Sequence, residues 1–129
     1  MTSEDIVKGI NTHFVNGLAP IKVFIIGQTF RPPVTESFVS IRLNGPVVAK
    51  RSGYTEYTIN LNLLVCSPVS GNVYNIQRVI DQVIILIAPG IDCFYSVGEI
   101  NVRNFGVLSS DVPLLQSTVT ATFKAKESV

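Results

Sequence analysis

Tyr54-Thr55-Glu56-Tyr57-Thr58-Ile59-Asn60-Leu61-Asn62-Leu63-Leu64-Val65-Cys66 is the stretch that decides how this chain folds. Tyr57, Ile59, Leu61, Leu63 and Val65 take every second position, and Glu56, Thr58, Asn60 and Asn62 lie between them. Successive strand side chains point to opposite faces of a sheet, so this is a strand with one buried and one polar face. Upstream, Phe38-Val39-Ser40-Ile41-Arg42-Leu43-Asn44 repeats the pattern, with Val39, Ile41 and Leu43 on one face and Ser40 and Arg42 on the other. Lys50-Arg51-Ser52-Gly53 reads as the turn joining the two.

The register of this hairpin can be tested by counting. A two-residue turn at Ser52-Gly53 sets Arg51 opposite Tyr54, and uninterrupted counting then puts apolar Leu43 opposite polar Asn62. A one-residue slip inverts every side chain, so that pairing would bury the wrong face. A bulge near Gly45-Pro46 removes the conflict: Leu43 faces Leu61, Ile41 faces Leu63, and Val39 faces Val65. Glycine and proline are the residues that bulges favour. The sequence therefore predicts a long bulged hairpin whose outer half projects beyond the core.

The other elements follow from their own periodicity. Thr2 or Ser3 can cap an N-terminal helix, Glu4 and Asp5 suit its positive end, and Ile6, Ile10 and Phe14 share one face. Gly17 and Pro20 end it. Residues 22–26 read as a short strand, and residues 27–36, with Pro32-Pro33, as an irregular or extended segment. After a loop at residues 67–71, Asn72 can cap a second helix whose stripe is Val73, Ile76, Val79, Ile80, Val83, Ile84 and Ile87, ending at Pro89-Gly90. Arg78, Asp81 and Gln82 mark its polar side, while Ile85 and Leu86 widen the apolar arc. Such a helix meets a sheet on one side and something else on the other. One strand falls within residues 97–107. A last one spans residues 117–125, where Val119, Ala121 and Phe123 alternate with Thr118, Thr120 and Thr122. The fold class is α+β, a mostly antiparallel sheet with two helices in the order α-β-β-β-α-β-β, and residues 1–129 form a single domain.

Composition points to assembly. Only 15% of the 129 residues are charged, 47% are hydrophobic, and the mean hydropathy is +0.40. A soluble domain usually carries about a quarter charged residues. The longest apolar run, residues 83–88, is far short of the roughly 18 residues a spanning helix needs. Apolar surface in excess of what one small core can hide implies an obligate assembly rather than a solitary enzyme. A net charge of +1 supplies no field that would draw nucleic acid or membranes. The acidic start, Met1 to Asp5, lacks the basic and apolar regions of a secretory signal. Cys66 and Cys93 read as free thiols of a reducing compartment.

Reactive groups are scarce. His13 is the only histidine, which rules out a histidine metal cluster, and its place beside Phe14 reads as a packed or rim position. The cysteines lack zinc or Cys-x-x-Cys spacing. Arg78 and Asp81 form an ordinary helical surface pair, while Asp92 and Glu99 flank a loop and a strand start, where solvation accounts for them. No phosphate-cradling glycine motif occurs. We read no catalytic, cofactor or metal site, and no enzyme. The basic residues Arg31, Arg42, Lys50 and Arg51 make too narrow a set, without interleaved aromatics, for nucleic-acid binding. Lys50 and Arg51 at a hairpin tip are either solvated or meet an acidic patch on a neighbouring subunit. The tyrosines and phenylalanines serve core or interface packing.

The order of these elements is familiar. An amphipathic N-terminal helix and short strand precede Phe30-Arg31-Pro32-Pro33. Ser37-Phe38-Val39-Ser40-Ile41-Arg42-Leu43 and the alternating strand from Gly53 to Val65 follow. A Ser/Pro/Gly loop, a long helix and a closing Thr118-Val119-Thr120-Ala121-Thr122-Phe123 strand complete the set. Over nearly its whole length the chain resembles, in element order and pattern, the tail-terminator (tail-completion) proteins of tailed bacteriophages. The resemblance implies a virion structural protein, assembled in the host cytoplasm, that forms a homo-oligomeric ring, usually a hexamer. The ring caps the tail tube, ends its polymerisation and offers a surface to the head-tail connector or neck protein. DNA would be cargo passing through, and no cofactor is implied. Sheets of such proteins pack around a central channel, and hairpins reach neighbouring subunits. The oligomer interface expected here is Lys50, Arg51, Ser52 and Gly53 at the hairpin tip, with Ile85 and Leu86 on the second helix. A channel for DNA is often acidic, whereas acids are sparse on these strands, chiefly Glu56 and Glu99. Two rivals share some features. Another tail, neck or baseplate subunit, such as a tube protein, would polymerise into stacks. A small ligand-binding domain or enzyme would be a monomer or dimer with a pocket between the second helix and the sheet near His13.

Overall fold

The hairpin forms the middle of the sheet. The computed structural model describes residues 1–28, 36–69, 73–108 and 114–128. They form α1 (Ser3–Leu18), β1 (Lys22–Phe24), β2 (Phe38–Arg51), β3 (Tyr54–Pro68), α2 (Val73–Ile87), β4 (Tyr95–Leu108) and β5 (Leu114–Ser128). The sheet has five strands in the order β1-β2-β3-β5-β4, with β1 parallel to β2 and every other pair antiparallel. The α+β class and element order are those the sequence predicts. Asn72 and Phe30-Arg31-Pro32-Pro33 lie outside the described residues.

The counted register is the one found. Leu43 pairs with Leu61, Ile41 with Leu63, Val39 with Val65 and Arg51 with Tyr54, and the ladder shifts between Asn44 and Val47. Gly45 makes the shift possible. Its φ is +107°, and a Cβ there would stand 2.9 Å from the Thr58 carbonyl oxygen. Pro46 has no N–H to contribute to a ladder, so a bulge is where it fits.

The hairpin's outer half carries the exposed Val47, Val48, Lys50 and Arg51, and β5 braces it by pairing with β3 all the way to Tyr54 opposite Ser128. One expectation needs correction: residues 67–71 do not open as a loop at Ser67. β3 continues to Pro68 opposite Leu114, and Ser67 is buried with its hydroxyl 2.9 Å from that of Ser37. Long-range pairing extends β3, β4 and β5 past the limits that local composition marks, whereas β1 stops two residues short of its expected end.

One core lies between the helices and a single face of the sheet. Ile6, Ile10, Phe14 and Leu18 of α1 and Val79, Ile80, Val83 and Ile87 of α2 pack with Tyr57, Ile59, Leu61, Leu63 and Val65 of β3 and Val119, Ala121 and Phe123 of β5. These are the period-two and helical stripes of the sequence, brought together by the exclusion of water from apolar area. α1 starts in a capping box: Asp5 N–H donates to Thr2 Oγ1 at 3.1 Å, and Thr2 N–H donates to the Asp5 carboxylate at 3.4 Å. These bonds with Thr2 hold the Asp5 carboxyl below its ordinary value. The start of α1 is tied to the end of β5, since the Met1 ammonium donates to Glu127 Oε2 at 2.9 Å and Tyr57 donates to Glu127 Oε1 at 3.2 Å. No described helix is long and apolar enough to cross a membrane.

Candidate interaction surfaces

Covering one sheet face with both helices leaves the opposite face to the other half of each strand. Register sets its side chains in rows. Asn44, Asn60, Thr122 and Val97 stand in one row; Arg42, Asn62, Thr120 and Asn101 in the next; Ser40, Leu64, Thr118 and Arg103 in a third. Thr122 donates to Asn60 Oδ1 across its row at 2.8 Å. Asparagine and threonine carry no net charge but keep donors and acceptors facing water. The result is a broad, hydrogen-bonding surface that also carries charges of both signs: Arg42 on β2, Arg103 and Glu99 on β4, and Glu56 with Lys124 toward the hairpin tip. From the third row on the face turns apolar: Phe24 stands beside the buried Ser40, Phe24, Phe38, Cys66 and Leu114 bury one another, and Phe24 meets Phe38 edge-to-face at 5.5 Å.

The six expected interface residues fall in three settings. Lys50, Arg51, Ser52 and Gly53 are all exposed at the β2–β3 turn. Arg51 reaches Glu56 on the neighbouring β3 at 3.9 Å, and Lys124 meets the same carboxylate at 3.5 Å. Glu56 is thus shared by two cations, while Lys126 sits 5.2 Å from the Tyr54 ring centre. Lys50 pairs with Thr55 across the ladder. Ile85 is 70% exposed on the side of α2 turned away from the core. Leu86 differs: it is half-buried against Gly17, where even a Cβ would come within 2.4 Å of its Cδ2. It serves the contact between the helices of one chain.

His13 belongs to that same contact. Its Nε2–H donates to the Leu86 carbonyl at 2.9 Å, and its ring stands edge-on to Phe14. The last carbonyls of a helix have no partner within the helix, so this bond satisfies one of them. The groove beside His13 is lined by Lys8, Thr12, Asn16, Leu86 and Asp92 and runs along α1 toward the end of α2. It therefore lies between the helices and not between α2 and the sheet. Among the described residues no group of three or more His, Cys, Asp or Glu is placed to hold a metal ion. Cys66 is buried and its thiol is pushed up to about 11 by desolvation, whereas Cys93 is exposed.

The polar rows are the feature that the sequence reading did not assemble. The alternating Asn and Thr positions were visible strand by strand, but only the strand order sets Asn62 beside Thr120 and Asn101. Compared with models of known protein families and with curated protein sequences, the chain matches none of them.

Proposed function

We propose that this protein is a structural subunit of a bacteriophage tail that forms a homo-oligomeric ring, caps the tail tube, ends its polymerisation and joins it to the head connector. The observation that carries the reading is the sheet itself: helices cover one face, and the other is wide and rich in amides and hydroxyls. In a ring whose sheets surround a channel, such a face suits the wall. Its Asn and Thr groups hydrogen-bond water, and its cations Arg42, Arg103 and Lys124 are interspersed with Glu56 and Glu99, so it offers a passing DNA no continuous basic track to hold it. The exposed Ile85, Val47 and Val48 supply apolar surface for contacts between copies or with the tube and connector.

The test is a mass measurement in solution followed by electron microscopy. The expected result is one closed ring that neither dissociates on dilution to low micromolar concentration nor stacks on concentration. Adding it to polymerising tube protein should cap the tubes at one end. Long stacks of the protein alone would favour the tube-subunit reading, and a stable monomer would overturn both.

A further inference from the structure

Among the described residues, the strand order leaves two edges without a partner. β1 covers β2 only at Phe38, Val39 and Ser40, so residues 41–51 form one free edge, and β4 forms the other. An unpaired edge presents a row of backbone donors and acceptors that another strand can take up. Both edges also expose apolar side chains at matching heights. Val47 is 64% and Val48 50% exposed on β2, and Tyr95 is 44% exposed on β4. Val47, Thr58, Lys124 and Tyr95 stand in one row across the sheet.

Direction and charge complete the match. β2, β3, β5 and β4 alternate in direction, so β4 runs opposite to β2. When copies stand side by side in the same orientation, β4 of one meets β2 of the next antiparallel, and the alternation continues unbroken. Residues 41–51 carry Arg42, Lys50 and Arg51 and no acid, whereas β4 carries one acid, Glu99, and one base, Arg103. A β2–β2 contact would set three cations against three, whereas β4 offers Glu99 to them, so charge selects β2–β4 over β2–β2.

We infer that the free edge of β2, residues 41–51, pairs with β4 of a second copy of this chain, making one continuous antiparallel sheet across each subunit boundary. This rests on the assembly reading above and adds its contact. A heterologous contact of this kind uses two different patches per subunit and propagates until it closes.

Two variants test it. Val47→Lys with Val48→Lys blocks the β2 edge, and Tyr95→Lys with Val102→Lys blocks the β4 edge; all four positions are at least 40% exposed, so the fold should survive, as circular dichroism can check. Each variant alone should be a monomer. Mixed together, they should form a one-to-one dimer of twice the 14.0 kDa chain mass and nothing larger, because each retains one complementary edge. A single variant that dimerises by itself would overturn the proposal in favour of a two-fold contact. If both variants keep the wild-type assembly, the edge contact is wrong while the ring reading stands. A wild-type monomer at high micromolar concentration would overturn both.

Discussion

Replacing Gly45 by alanine tests the bulge on which the register depends. Two costs arise at this position. A φ of +107° lies where side chains are rarely tolerated, and holding a non-glycine residue in such a region costs about 1–3 kcal/mol. The new Cβ would also stand 2.9 Å from the Thr58 carbonyl oxygen and 3.2 Å from the Val47 nitrogen, both backbone atoms that cannot swing aside. Moving them disturbs the β2–β3 ladder on either side, adding roughly 1 kcal/mol for a weakened backbone hydrogen bond. The sum is about 2–4 kcal/mol. Gly53→Ala is the control, because its φ is +83° but nothing lies within 4 Å of the added carbon. It carries the conformational cost alone, about 1–2 kcal/mol. Urea unfolding followed by circular dichroism measures both. Gly45→Ala should lower the midpoint more than Gly53→Ala with an unchanged slope, the mark of lost stability without a change in exposed surface. Equal losses, or a Gly45→Ala loss under about 0.5 kcal/mol, would refute the steric account of the bulge, since changes that small are typical of plain surface sites.

Neighbouring residues of β3 should respond oppositely to truncation. Leu63→Ala, at a fully buried position, should cost about 2–5 kcal/mol in the same unfolding assay, and Asn62→Ala, on the polar face, less than about 0.5 kcal/mol. His13→Ala leaves the Leu86 carbonyl without its donor and should cost about 1 kcal/mol, read as a lowered thermal midpoint. A thiol reagent at mildly alkaline pH should modify Cys93 at once and Cys66 only on unfolding; rapid modification of both would refute the burial of Cys66. Because burial raises the Cys66 thiol from 9.0 to about 11, its contribution to stability is full below its unfolded value and fades as pH rises from about 9 to 11. Cys66→Ser should flatten the loss of stability in that window, measured by urea unfolding at each pH.

Much of this architecture was legible in the residues because its signals are local and periodic. Alternation along residues 54–66 defines which face of β3 is buried, and the mismatch of Leu43 with Asn62 locates the bulge without coordinates. Of the helix stripes, Ile6, Ile10 and Phe14 on α1 and Val79, Ile80, Val83 and Ile87 on α2 are buried, while Ile76 and Ile84 are partly so. Strand ends were less legible. Ser67 and Pro68 look like loop formers, but β5 supplies a pairing partner from some fifty positions away that no local pattern reveals. Leu86 misled for a related reason: it widens an apolar arc in the sequence, and the partner that covers it is Gly17 of the first helix.

By itself, then, the sequence determines the elements, their inward faces, the hairpin register and the shortage of charge, because each depends on side chains within reach along one segment. The tertiary structure alone decides the strand order β1-β2-β3-β5-β4. That order sets amides and hydroxyls from four strands into one polar face, braces the hairpin with β5, joins His13 to the end of α2, and leaves β4 and the outer part of β2 as open edges among the described residues. The physical reason is that sheet neighbours are selected by the joint burial of faces far apart in the chain, a quantity that no single segment carries.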